Sequence, residues 1–177
     1  MFKTLIIYST TDGQTRKICE RIMNASDNRD SLKIFPIEDV KKEDLSIYDN
    51  IIIGASVRYG KHNSNVYSFI KKNKNILENK NTAFFTVNVV ARKLDKNHPD
   101  TNPYMKNFLK ITGWTPNKLA VFAGKIDYPK YKFFDKQIIR FIMYVTKGPT
   151  DISKVYEFTE WDRIDEFAKD LYQSDMI

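Results

Sequence analysis

From Tyr8 to Thr15 the chain reads Tyr-Ser-Thr-Thr-Asp-Gly-Gln-Thr, hydroxyls around one glycine, and then passes into a helical pattern. That is a chemistry for phosphate. Backbone N–H groups at a helix start, side-chain hydroxyls and the helix dipole converge on an anion without crowding it. Thr10, Thr11 and Thr15 are the hydroxyl donors, Gly13 permits the turn, and Asp12 and Gln14 complete the loop. Asp12 is the exception, since a carboxylate facing a phosphate repels it; pointed outward, it favours the helix start instead. Taken alone, the same stretch also describes an ordinary capped helix start.

Two further loops offer complementary groups. Gly54-Ala-Ser-Val-Arg-Tyr-Gly60 ends an apolar run, with Ser56, Val57, Arg58, Tyr59 and Gly60 supplying small residues, a charge and a flat ring. Thr86, Val87, Asn88, Val89, Val90, Ala91 and Arg92 follow another such run and add backbone and side-chain polar groups. The sequence has neither G-x-x-x-x-G-K-[ST] nor G-x-G-x-x-G, and no aspartate after the third strand to accept a phosphoryl group. His62 and His98 lack cysteine or carboxylate neighbours at ligand spacing, so no metal site is expected. Ser56 has no nucleophile-elbow context, Cys19 falls on an apolar helix face, and no residue identifies itself as a general base.

Positioning three loops at one place requires a parallel sheet. Phe2–Tyr8, Leu32–Phe35, Asn50–Gly54, Ala83–Val90 and Leu119–Ala123 read as strands, nearly continuously apolar as strands buried on both faces are. Helical spacing runs from about Thr15, over Val66–Leu77, over Tyr104–Ile111 and over Trp161–Tyr172. Thr159 and Asp162 are spaced as a capping box. The alternation predicts a doubly wound α/β fold with five parallel strands, residues 1–177 forming one domain. In such sheets ligands sit outside the carboxyl ends of the strands, where all three loops emerge.

Residues 125–150 break the alternation. They are rich in Lys, Arg and aromatics, and Val155–Thr159 reads as the fifth strand resuming after an insertion. Within it Ile138, Phe141, Ile142 and Val145 keep helical spacing on one side, while Lys132, Lys136, Arg140 and Lys147 gather on another. Aromatic residues precede a helix flanked by cations, a pattern that suits an interfacial helix as well as a packed one.

The net charge of +7 over 177 residues calls for an anionic partner. The basic residues are scattered and match no nucleic-acid reader, so no nucleic acid is expected. An anionic membrane surface or an acidic small molecule remains, with Arg58, Arg92, Lys130, Lys132, Lys136 and Arg140 as candidate contacts. A single cysteine excludes an internal disulfide and fits a reducing cytoplasm, and no stretch approaches a membrane span.

The loop STTDGQT resembles the FMN phosphate loop of flavodoxins, with Asp12 where threonine is common. Together with IGASVRYG, TVNVVARK and AGKIDYPKY, it resembles the quinone-dependent protoporphyrinogen IX dehydrogenases over essentially the whole chain. Asp127 departs from the basic residue expected there. The resemblance implies a flavodoxin-like sheet with strand order 2-1-3-4-5, FMN as cofactor, oxidation of protoporphyrinogen IX to protoporphyrin IX in haem biosynthesis, and menaquinone or a related quinone as acceptor. It further implies a cytoplasmic protein held peripherally on the inner face of the cell membrane. The rival readings are an electron-carrying flavodoxin and a general quinone reductase.

Overall fold

The computed structural model describes residues 3–40 and 45–173. Phe2, read above as the first residue of the opening strand, lies outside them. The strands are Thr4–Ser9 (β1), Leu32–Pro36 (β2), Asn50–Arg58 (β3), Lys61–His62 (β4), Asn81–Asn88 (β5), Lys118–Ala123 (β6), Lys125–Asp127 (β7) and Val155–Glu157 (β8). The helices used below are Gln14–Asn24 (α1), Ser64–Leu77 (α2), Pro103–Thr112 (α3), Phe133–Val145 (α4) and Trp161–Gln173 (α5).

The main sheet runs β2-β1-β3-β5-β6, every pair parallel, with β4 folded back antiparallel on the end of β3. Counting only the parallel strands, this is the 2-1-3-4-5 order that the resemblance to flavodoxins implies. Successive strand residues point to opposite faces, and both faces are covered, which is why the strands lack polar alternation. Leu5, Ile7, Ile51, Ile53 and Phe84 pack with Val66, Ile70 and Phe108 from α2 and α3. Ile6, Ile52 and Phe85 pack on the other face with Ile18, Cys19 and Ile22 of α1 and Ile164, Ala168 and Leu171 of α5. Gly54 is fixed by this packing: a Cβ there would lie 2.2 Å from Cζ of Phe85, its neighbour across the β3–β5 pair.

The insertion corrects one expectation. Val155–Thr159 does not resume the fifth strand. Beyond Ala123 the chain continues through Gly124 into β7, leaves at Tyr128, and returns as β8 antiparallel to β7, pairing Lys125 with Glu157 and Asp127 with Val155. The reason is the neighbour. β5 turns away into a 3₁₀ turn at Val89–Arg92, so β7 has no parallel strand beside it, and the returning chain supplies partners for its backbone. Phe158 N–H then donates to the Gly124 carbonyl at 3.0 Å. The capping box is corrected too: the Thr159 hydroxyl donates to the Ala123 carbonyl at 3.0 Å and accepts the Gln14 amide at 2.8 Å.

Inside the excursion, Ile126, Tyr128, Tyr131 and Met143 form a small core of their own, with Val89 and Ile139 against it. Helix α4 therefore packs through Ile139 and Met143. Of the set read as one face, Ile138, Phe141 and Val145 face outward, joined by Phe133, Phe134 and Tyr144, while Ile142 is half-exposed and borders the cleft described below. Phe133, Phe134, Phe141, Tyr144 and Val145 are 63–78% exposed. No helix among the described residues is long and apolar enough to cross a membrane.

Candidate functional site

Helix α1 begins where Gly13 takes a left-handed conformation (φ 85°) that a side chain would strain. That turn folds Gly13 N–H onto the Thr10 hydroxyl, 3.0 Å away, and aims the first-turn N–H groups of α1 across the sheet edge. The Thr15 hydroxyl is fully buried there and has no hydrogen-bond partner among the described residues. A buried hydroxyl without a partner costs about 1–3 kcal/mol, so its placement asks for an acceptor. A phosphate monoester fits this donor set: hydroxyls, free amides and the positive end of a helix around a cavity of about 50 Å³.

Thr10, Thr11, Asp12, Gln14 and Thr15 line that cavity together with Ser56, Val57 and Arg58 from the end of β3, and Val87, Asn88 and Val89 from the end of β5. Three chain segments distant in sequence thus meet at one edge. The Gln14 side chain is turned away, donating to Glu157 and Thr159, so only its backbone faces the site. A second, more apolar cleft opens beside the first. Tyr59, Gly60, Val90 and Tyr104 form its sides, and Tyr131, Ile139, Ile142 and Met143 of the insertion form its roof. Asp12, Val57, Arg58, Asn88, Val89 and Lys125 line both, so the two spaces are one continuous site.

Other residues expected at the site stand behind its wall. Thr86 is fully buried, with His62 Nε2 2.9 Å from its hydroxyl. His62 itself is enclosed by Phe84, Phe108 and Tyr67, and burial pushes its pKa down to about 4. Asn88 Oδ1 accepts Ala91 N–H at 3.0 Å and Asn102 Nδ2 at 3.3 Å, which fixes the 3₁₀ turn that bounds the cleft. Arg92 points at the insertion: its guanidinium donates to the carbonyl and hydroxyl of Thr146, at 3.0 and 2.9 Å, at the end of α4. Burial lowers its pKa, and it has no carboxylate partner in salt-bridge range among the described residues.

Asp12 is exposed at the rim of the loop but is not free in solvent. It accepts both a 2.8 and a 2.9 Å hydrogen bond from Arg58, which neutralises its charge beside the anion site. Arg58 also donates to Asp135 of α4 at 3.3 Å, and its guanidinium lies 4.9 Å from the Tyr131 ring centroid. The Tyr131 hydroxyl accepts Asp127 N–H and donates to Asp12, each at 3.3 Å; burial pushes its pKa up to about 12. Asp127, the departure from the expected pattern, sits between Lys125 at 3.6 Å and Lys130 at 3.4 Å. Lys132, Lys136 and Arg140 have no carboxylate partner among the described residues, and they lie on the border of the exposed face, away from the cleft.

Sequence reasoning missed Lys125, Tyr104, Tyr131, Asp135 and Met143. Lys125 carried a usable signal: it directly follows the fifth strand, at the carboxyl edge where ligands of this fold sit. The others come from segments whose path no local pattern reveals.

Comparison with known proteins places these observations. A family model described as a flavodoxin domain matches residues 5–153. A protoporphyrinogen IX dehydrogenase [quinone] of Leishmania major is 40% identical over 171 residues, covering 96% of this chain and 74% of that protein. One of the same name from Escherichia coli strain K12 is 38% identical over 173 residues, covering 96% and 94%. Among solved structures, oxidised flavodoxin 1 of Bacillus cereus superposes with a TM-score of 0.56 at 14% identity, over 97% of this chain and 98% of that one.

Proposed function

This chain belongs to the flavodoxin-domain family, among the quinone-dependent protoporphyrinogen IX dehydrogenases, and we propose that it oxidises protoporphyrinogen IX to protoporphyrin IX with FMN as cofactor and a respiratory quinone, menaquinone or a relative, as acceptor. The FMN phosphate is held by the 10–15 loop, with the Thr15 hydroxyl and the α1 amides as donors. The Val57–Gly60 and Val89–Val90 segments, which line the second cleft, would hold the ring system. Bound FMN supplies the redox chemistry, taking electrons from the porphyrinogen and giving them to the quinone.

The chain's own residues bind, orient and exclude water. Backbone groups of the Ser56–Gly60 and Asn88–Val90 turns are held by packing and by the Asn88 hydrogen bonds, so the cofactor meets a fixed frame. Ile139, Ile142 and Met143 cover the cleft and keep it apolar, as a tetrapyrrole or quinone ring requires. Among the described residues no side chain in the cleft is poised as a general base: His62 is enclosed behind the wall, and Asp12 is committed to Arg58. Lys125, which lines both spaces, is available to a propionate of the substrate.

What carries the enzymatic reading over the carrier reading is this roof. A carrier gains nothing from an apolar helix closed over its flavin edge. The outward face of the same helix supports peripheral association with the inner face of the cell membrane, where the quinone resides. Phe133, Phe134, Phe141 and Val145 are apolar and exposed, bordered by Lys136 and Arg140.

The test is anaerobic turnover. The FMN-loaded protein should oxidise protoporphyrinogen with a soluble menaquinone analogue many times per flavin, well above the spontaneous rate. Full FMN loading without quinone-linked turnover would assign the protein to electron carriage instead.

A further inference from the structure

Arg58 occupies the wall shared by the two halves of the site, with only 19% of its side chain exposed. It reaches two carboxylates from two different parts of the chain: Asp12 in the phosphate loop and Asp135 in the first turn of α4. The same junction is doubled by tyrosines. The Tyr59 hydroxyl donates to Asp135, and the Tyr131 hydroxyl donates to Asp12. At its other end α4 is held by Arg92, which stands on the turn after β5 and caps the Thr146 carbonyl. The insertion helix is thus fastened at both ends by arginines rooted in the loops that flank the cleft. Asp12 is what brings the phosphate loop into that fastening.

Resting on the FMN reading of the site, we propose that Asp12 is a positioning residue: through Arg58 it couples occupation of the phosphate loop to the placement of the α4 roof. A phosphate gripped by residues 10–15 fixes the loop backbone and with it the Asp12 carboxylate. It also adds negative charge beside Arg58, which draws the guanidinium firmly into its place between loop and helix. Riboflavin has the same ring but no phosphate, and does neither. The coupling is reciprocal, so a well-seated roof also favours the phosphate-bearing cofactor. This explains why an acidic side chain stands in a loop built for an anion: its partner there is Arg58.

The measurement is hydrogen–deuterium exchange over residues 133–146, without flavin, with saturating FMN and with saturating riboflavin, binding being followed by flavin fluorescence. In the wild-type protein FMN should slow exchange across α4 by about five- to a hundredfold, the usual range of coupling between sites. Riboflavin should leave it unchanged. Asp12→Asn, close in shape to the native residue, should abolish the FMN-dependent slowing when saturated with FMN. Asp135→Asn should do the same from the helix side. Equal protection by riboflavin, or full FMN protection in Asp12→Asn, would overturn the coupling while leaving FMN binding intact. Failure of the wild-type protein to take up FMN would overturn the cofactor reading and the coupling together.

Discussion

Removing three phenylalanines from the outer face of α4 should release the protein from membranes without unfolding it. Phe133, Phe134 and Phe141 are 70%, 78% and 66% exposed and belong to none of the three buried clusters. Fully burying a phenylalanine side chain is worth about 1.5–3 kcal/mol, so the share still available to a lipid boundary is about 1–2 kcal/mol each. The three together come to about 3–6 kcal/mol, a loss of about a hundredfold or more in partitioning. The assay is co-sedimentation of wild type and the Phe133→Ser, Phe134→Ser, Phe141→Ser triple variant with vesicles containing anionic lipid, at two salt concentrations. Wild-type binding should weaken in high salt, because Lys132, Lys136 and Arg140 each contribute about 1 kcal/mol at such a surface. Thermal unfolding of the variant should match wild type. Unchanged sedimentation would show that this face does not meet lipid, and a large fall in unfolding temperature would show that it packs against protein. Either result refutes the reasoning.

Other perturbations follow from single contacts. Thr15→Val removes a buried hydroxyl that has no partner among the described residues, at nearly constant volume; the flavin-free protein should be as stable as wild type or more so, yet bind FMN about tenfold or more weakly, as fluorescence titration would read. Gly54→Ala sets a methyl 2.2 Å from the Phe85 ring and should destabilise by about 1–3 kcal/mol in urea unfolding; a neutral result would mean the two strands part more easily than their packing implies. His62 is held neutral by burial, its pKa lowered from 6.5 to about 4, so the unfolded chain takes up this proton first as the pH falls. Its contribution is whole above pH 6.5 and is lost on descending to pH 4, a loss of about 3 kcal/mol. Urea unfolding of wild type and His62→Gln at pH 7 and pH 4 should show the gap between them change by that amount, whereas a gap independent of pH would mean His62 is not buried in its neutral form.

The sequence by itself determined the sheet, because its strands are buried on both faces and so are written as continuous apolar runs. Ile51, Ile52 and Ile53 need no tertiary information to be read as one. It also marked the loop at 10–15, since a glycine among hydroxyls before a helix is a local signal with a local cause. What only the tertiary structure decided is everything that depends on which segments meet. The sign of Asp12 as a liability or an anchor turned on Arg58, 46 positions away in the chain. Arg58 and Arg92, two arginines on loops at the sheet edge, read from sequence as hooks for an anionic substrate. In the fold their donors are taken up by carboxylates and helix-end carbonyls. Helix α4 shows the limit most plainly. Its spacing announced an amphipathic helix, but periodicity cannot say which face a protein covers. Ile139 and Met143 turn inward because Tyr128, Tyr131 and Val89 happen to lie beneath them, and the broader apolar face is left outward because β7 and β8 hold the excursion at the rim of the sheet, where no other element among the described residues covers it.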